Sequence, residues 1–187
     1  MKTLLSASAA IDRVLSAIAR LGGWCGAVLV LVVCYDVVTR YFGVPKPFGL
    51  NSTQIQESEY WLHAFLIVLT IGYAYLRQAH VRIDLLRDGR PRRIKYIIEI
   101  CGILLFLMPY SALGLWLSWP YAVTSFLQGE VSKSQIGMTD IWILKGSLVL
   151  LFVLMGLAAV SQLIKSVAGL LGKLPDRLVA ETLGGEF

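Results

Sequence analysis

Apolar residues do not alternate with polar ones along this chain. They come in four long runs separated by polar stretches. The first, LGGWCGAVLVLVVCYDVVTRYF, covers residues 21–42, with polar interruptions at Asp36, Thr39 and Arg40. The second, YWLHAFLIVLTIGYAYL, covers 60–76 and reaches back to 54 once a helical flank is included. The third, over 96–119, has Glu99 near its start and Pro109 inside; the fourth covers 141–165. A helix crosses a bilayer with about 20 mostly apolar residues. Each run reaches that length when tilt and helical flanks are allowed. Hydrocarbon offers the backbone no hydrogen bonds, so the runs must be helices. The expected fold is an all-α membrane protein with four transmembrane helices and a tail over 166–187. Pro109 removes one ladder hydrogen bond, which predicts a bend in the third span. Gly102, Gly114, Gly146 and Gly156 are candidate points of close helix approach.

Residues 1–20 have a different pattern. Leu4, Ile11, Val14, Leu15 and Ile18 recur at helical spacing, and Asp12, Arg13 and Arg20 take the other faces. That predicts an N-terminal amphipathic helix lying in the membrane interface. Asp12 and Arg13 interrupt what would be the apolar core of a signal peptide, so an uncleaved helix is the expectation. Between the first two runs, GVPKPFGLNST is a turn-rich link. Its Asn51, Ser52 and Thr53 are candidate helix caps, with Glu57 and Glu59 placed for a first turn.

Composition agrees with the pattern: 57% of the 187 residues are hydrophobic and 16% are charged. The net charge of +5 does not point to nucleic acid, because the basic residues flank apolar runs instead of lining a polar, aromatic-studded surface. Their distribution sets an orientation. Residues 1–20 hold three Lys or Arg, 77–95 hold seven and 165–187 hold three, leaving four for the other side. Short basic loops stay in the cytoplasm, so both termini and the 77–95 loop are expected there. Tyr41, Phe42, Tyr60, Trp61, Trp116, Trp119, Tyr121 and Trp142 gather toward the opposite boundary, as an interfacial belt. Arg87, Arg90, Arg92, Arg93 and Lys95 are candidates for lipid headgroups.

Candidate chemistry is sparse. Cys25, Cys34 and Cys101 form no CxxC pair and sit in apolar runs, as small buried hydrophobes do. His63 lies in the second span; haem would need a second His at similar depth, and His80 is at the other end, so a hydrogen-bonded packing role is expected. No metal set of suitable spacing surrounds His80, Arg82 and Asp84. Asp36 and Arg40, four apart, share a helix face. An unpaired charge at mid-bilayer costs about 2.5–3.5 kcal/mol, so they should pair with each other or with Glu57 or Glu59. Glu99 and Lys145 are expected at the interface or against a partner. No residue reads as catalytic.

The stretch GYAYLRQAHVRIDLL, residues 72–86, runs from a span directly into His80-Val81-Arg82-Ile83-Asp84. It resembles the small integral-membrane subunit of TRAP (tripartite ATP-independent periplasmic) transporters, the DctQ-like family. Arg40-Tyr41-Phe42-Gly43, Gln56-Glu57, Glu130-Val131-Ser132, Gly137, Trp142 and Lys145 are similar to the family in the same order, over roughly residues 24–165. Ala79 departs from the pattern, where Gly or a polar residue is expected. The resemblance implies a scaffold that braces a large permease subunit for sodium-coupled uptake of an organic acid delivered by a periplasmic solute-binding protein. It implies a bacterial inner-membrane location, no enzyme activity and no cofactor in this subunit, with sodium in the large partner. Because the chain stops after its fourth span, that partner is expected to be a separate chain. The rival readings are a stand-alone small exporter and a redox or cytochrome-type membrane anchor. The first would need a membrane-embedded acid facing a central cavity, and the second paired cysteines or histidines.

Overall fold

The computed structural model describes residues 1–44, 51–80, 89–134 and 136–183. Its order is α1 (Lys2–Phe42), α2 (Ser52–Leu76), α3 (Arg92–Gly102), a π-helical turn (Ile103–Leu107), α4 (Met108–Leu127), α5 (Ile141–Leu170) and α6 (Asp176–Leu183). The turn joins α3 to α4 without a break, so the third span is one helical rod over Arg92–Leu127. It and the helices Lys2–Phe42, Ser52–Leu76 and Ile141–Leu170 are each long and apolar enough to cross a membrane. The described residues contain no strand.

Local chemistry explains the helix ends. α1 stops at Gly43, whose φ of 63° is the left-handed conformation glycine accepts; its N–H donates to Arg40 O, and the Val44 N–H donates to Thr39 O. This closes the orphan carbonyls of the last turn. α2 starts with a capping box in which Asn51 Oδ1 accepts from the Gln54 N–H at 2.8 Å and Gln54 Oε1 accepts from the Asn51 N–H. Two of the orphan donors at the helix start are thus satisfied. Glu57 and Glu59 fall beyond the first turn, which leaves Glu57 free to reach another element.

Pro109 acts on the turn before it. Lacking an N–H, it cannot continue the α-helical ladder, and its ring crowds the carbonyl four residues back. The chain widens there: the Met108 N–H donates to Ile103 O, a π-type bond. The expected disturbance therefore takes the form of a π turn. Pro120 lies inside α4, and the span runs beyond the boundary of 119 expected from the sequence.

α5 is the hub. It packs against α1, α2, α3 and α4, and α1 also packs along α2. Neither α1 nor α2 makes a substantial contact with α3 or α4 among the described residues. The spans therefore form a triangle of α1, α2 and α5, with the third span attached to α5, and do not close into a ring. Glycines set the close approaches. A Cβ on Gly72 would lie 2.8 Å from Leu154 O, and one on Gly22 2.8 Å from Thr70 Cγ2. Gly26 seats on Leu66, Gly114 on the Phe152 ring and Gly169 on the Tyr96 ring. Of the glycines expected to do this, only Gly114 does; Gly102, Gly146 and Gly156 face open space.

One helix stands where two were expected. α1 continues without a break through residue 20. At 1.5 Å per residue, its 41 residues run about 60 Å, roughly twice a hydrocarbon core. Its N-terminal half lies along α5: Leu15 is buried with Leu76, Leu154 and Ala158, and Ile11 and Ile18 pack around them.

Candidate functional site

Buried charged groups lie near the two ends of the bundle. The terminal end holds the N-terminal turns of α1, the start of α3 and α6. The loop end holds the end of α1, the start of α2 and the described residues between α4 and α5.

At the loop end, Glu57 organises a loop distant in sequence. It is 6% exposed. Its Oε1 accepts from the Ser132 hydroxyl and its Oε2 from the Met138 N–H. Asn51 Nδ2 donates to Ile136 O at 2.8 Å, and the Ser132 N–H donates to Met138 O at 3.0 Å. A Cβ on Gly137 would lie 2.5 Å from Glu57 Oε1, so the carboxylate can approach only because residue 137 is glycine. The 130–140 loop is thereby fastened to the first turns of α2. Beside it, Lys145 pairs with Glu130, and its ammonium sits 4.1 Å above the Tyr121 ring centroid. The Lys145 hydrogen bond holds the Glu130 carboxyl below its ordinary value.

Asp36, fully buried, pairs with Arg40 one turn on, and Arg40 is half-exposed. The choice left open by the sequence falls on the intrahelical pair; Glu57 is committed to the loop. Thr39 Oγ1 donates back to Tyr35 O at 2.9 Å. Glu59 Oε1 is buried without a hydrogen-bond partner among the described residues.

At the terminal end, Lys165 is 3% exposed and pairs with Asp12 Oδ2 at 2.6 Å. The Ser161 hydroxyl donates to Asp12 Oδ1 at 2.5 Å. That uses its only proton, so Ser8 must be the donor in the 2.8 Å Ser8–Ser161 contact. Ser8, Asp12, Ser161 and Lys165 thus form a seam between α1 and α5. Nearby, Gln162 Nε2 and Gln78 Nε2 both donate to Thr182 O, at 3.0 and 3.3 Å, tying α6 to α5 and to the end of α2. The sequence reading missed this seam. The signal available was Lys165 within the last turns of an apolar run, with Ser161 one turn before it.

The remaining candidates are scattered. His80 is exposed, its ring centroid 6.1 Å from that of Tyr75. Arg82, Asp84 and Arg87 lie outside the described residues. Arg90, Arg92 and Arg93 are exposed, and Lys95 is half-buried. His63 is exposed on α2 and has no hydrogen-bond partner among the described residues, so the expected hydrogen-bonded packing is not made within them. Trp61 is buried, so it is no headgroup anchor. Glu99 accepts from the Tyr75 hydroxyl at 3.2 Å; it and Lys145 bond within the chain. Among the described residues no three His, Cys, Asp or Glu side chains come together as a metal set.

Four helices long and apolar enough to cross a membrane define the class of a multi-pass membrane protein. Residues 29–169 match the family model of the tripartite ATP-independent periplasmic transporters, DctQ component. That is most of the 187 residues, and the chain belongs to this family of transporter components. Comparison with curated proteins and with solved structures found no match.

Proposed function

We propose that this chain is the small scaffold subunit of a TRAP-type secondary transporter. It braces the large permease subunit in a bacterial inner membrane, with both termini in the cytoplasm. The complex imports an organic acid with sodium from a periplasmic solute-binding protein. Substrate and sodium are handled by the large subunit, and this chain supplies position. Asp36, Arg40, Glu57 and Glu59 shape the periplasmic side, while His80, Arg82 and Asp84 order the cytoplasmic turn after α2. Arg87, Arg90, Arg92, Arg93 and Lys95 meet headgroups there.

The observation that carries this reading, beyond family membership, is the unclosed arrangement of the spans. A bundle that does not ring a common axis has no central path to conduct a solute. It instead presents long outer faces, and Trp24, Leu31, Tyr41, Leu105, Phe106 and Trp116 are all mostly exposed. One of these faces is not purely apolar. Gln56, Tyr60 and His63 are exposed along α2, and His63 is eleven residues into a helix of 25, near its middle. Polar side chains at that depth favour a protein neighbour over lipid tails. The large subunit is the natural neighbour.

Co-purification from a mild detergent tests the assembly. The chain should elute with the large subunit, and a strain lacking this chain should lose uptake. A defined homodimer that excludes the large subunit, or full uptake in the deletion strain, would overturn the proposal. His63→Leu should weaken co-elution more than Ile67→Leu, its exposed apolar neighbour one turn along.

A further inference from the structure

A groove of about 410 Å³ opens where α3, α5 and α6 meet; Arg92, Arg93, Tyr96, Leu170, Leu174 and Val179 line it. We propose that it is a binding site for one anionic phospholipid. The phosphate would sit at the two arginines, and the first part of an acyl chain would lie on the leucine and valine floor.

Its components face the right way for such a ligand. Arg92 and Arg93 open α3 after Pro91, which provides no side-chain cap. The first amides of a helix have no intrahelical acceptors, so the phosphate would meet guanidinium and backbone donors together. Arg92 has a further interaction within the chain, which makes Arg93 the principal cation. Tyr96 is 4% exposed and lies against the bare Cα of Gly169. Its hydroxyl has no hydrogen-bond partner among the described residues, although the ring forms part of the groove wall. Asp176 also reaches the groove, but it stands in the first turn of α6, where a carboxylate serves that helix's own N-terminus. Two guanidiniums and one carboxylate line the groove.

Depth selects a lipid over a free anion. Ile94, Ile97 and Ile98 are exposed in the turns after the arginines, which sets the hydrocarbon boundary at the start of α3. Leu170, Leu174 and Val179 continue that apolar surface within the groove, and a soluble phosphate would leave them uncovered. The inference rests on the chain spanning a membrane and is independent of which partner it braces.

Native mass spectrometry of the purified full-length chain in detergent, titrated with phosphatidylglycerol, reads the site. One phosphatidylglycerol should be retained in preference to phosphatidylcholine. Arg93→Gln should weaken it about fivefold, with a similar further loss in the Arg92→Gln/Arg93→Gln double variant. Tyr96→Phe should weaken it less. Lys133→Gln removes an exposed cation at the loop end, away from the groove, and should change nothing. The arginines are exposed, so the variants should keep the wild-type elution profile. Equal retention of phosphatidylcholine would overturn the proposal, as would displacement by millimolar inorganic phosphate or equal losses in Lys133→Gln and Arg93→Gln.

Discussion

The two ends of this bundle bury charge in different ways. At the loop end Asp36 pairs with Arg40 one turn away, and Glu57 accepts from the Ser132 hydroxyl and the Met138 N–H of one loop. At the terminal end the buried ammonium of Lys165 depends on Asp12, more than 150 positions earlier in the chain. The first arrangement can fail in pieces. The second joins the N-terminal part of α1 to the C-terminal part of α5, so losing either partner strands a charge where the two helices meet.

That difference predicts a ranking. Removing one partner of a buried ion pair costs about 3–5 kcal/mol, because the other charge is left uncompensated. Asp12 keeps partial exposure, which places Asp12→Asn at or below the low end of that range. Replacing both members with apolar residues of similar volume should restore much of the loss. The measurement is thermal unfolding in a single detergent, comparing Asp12→Asn, Lys165→Met and the Asp12→Leu/Lys165→Met pair. If the double variant were as unstable as the worse single one, the seam would be working through something other than charge.

Glu57→Gln should rank second. Hydrogen bonds to a charged acceptor contribute about 1.5–3 kcal/mol each, and the amide keeps one oxygen for one of the two donors. The effect should stay local: faster hydrogen exchange at 130–140, with little change at residues 8–15 or 161–168. Gly137→Ala should produce the same signature by pushing the carboxylate aside. Uniformly faster exchange across α5 would mean that the loop end is not separable from the core.

How much of this could be seen beforehand follows the same division. The four spans are set by local runs and were legible, whereas Asn51 was one of three candidate caps, and the sequence left Asp36 and Arg40 to pair with each other or with Glu57 or Glu59. The disturbance at Pro109 was legible in place but not in form, since a bend and a π turn both answer one missing N–H. Glu57 was visible as an acid near a helix start; its partners, more than 70 residues away, were not. The Asp12–Lys165 seam was least legible, because residues 1–20 taken alone fit a surface helix equally well. Only packing against α5 shows that Ser8 and Asp12 face protein. The glycine contacts failed for a related reason: Gly102, Gly146 and Gly156 sit in apolar runs as Gly114 does, but which helix face meets a neighbour depends on topology.

The smallest expected effect belongs to Glu130, and its sign can be worked out. Its carboxyl is held below the ordinary value by the hydrogen bond from Lys145, so the unfolded chain takes up this proton first as pH falls. The contribution is therefore complete above the unfolded carboxylate value of about 4.3, and it is lost as pH drops through the lower folded value. Glu130 is partly exposed, and solvent screening keeps such a contribution small. Other carboxylates titrate in the same window, so the readout must be a difference. Melting temperatures of wild type and Glu130→Gln, taken from pH 7 down to pH 3, should lie apart by a constant amount to about pH 5 and then converge. Parallel curves over the whole range would show that the Glu130–Lys145 pair contributes nothing that depends on the charge of Glu130. The packing of Lys145 on Tyr121 would then account for the order at the start of α5.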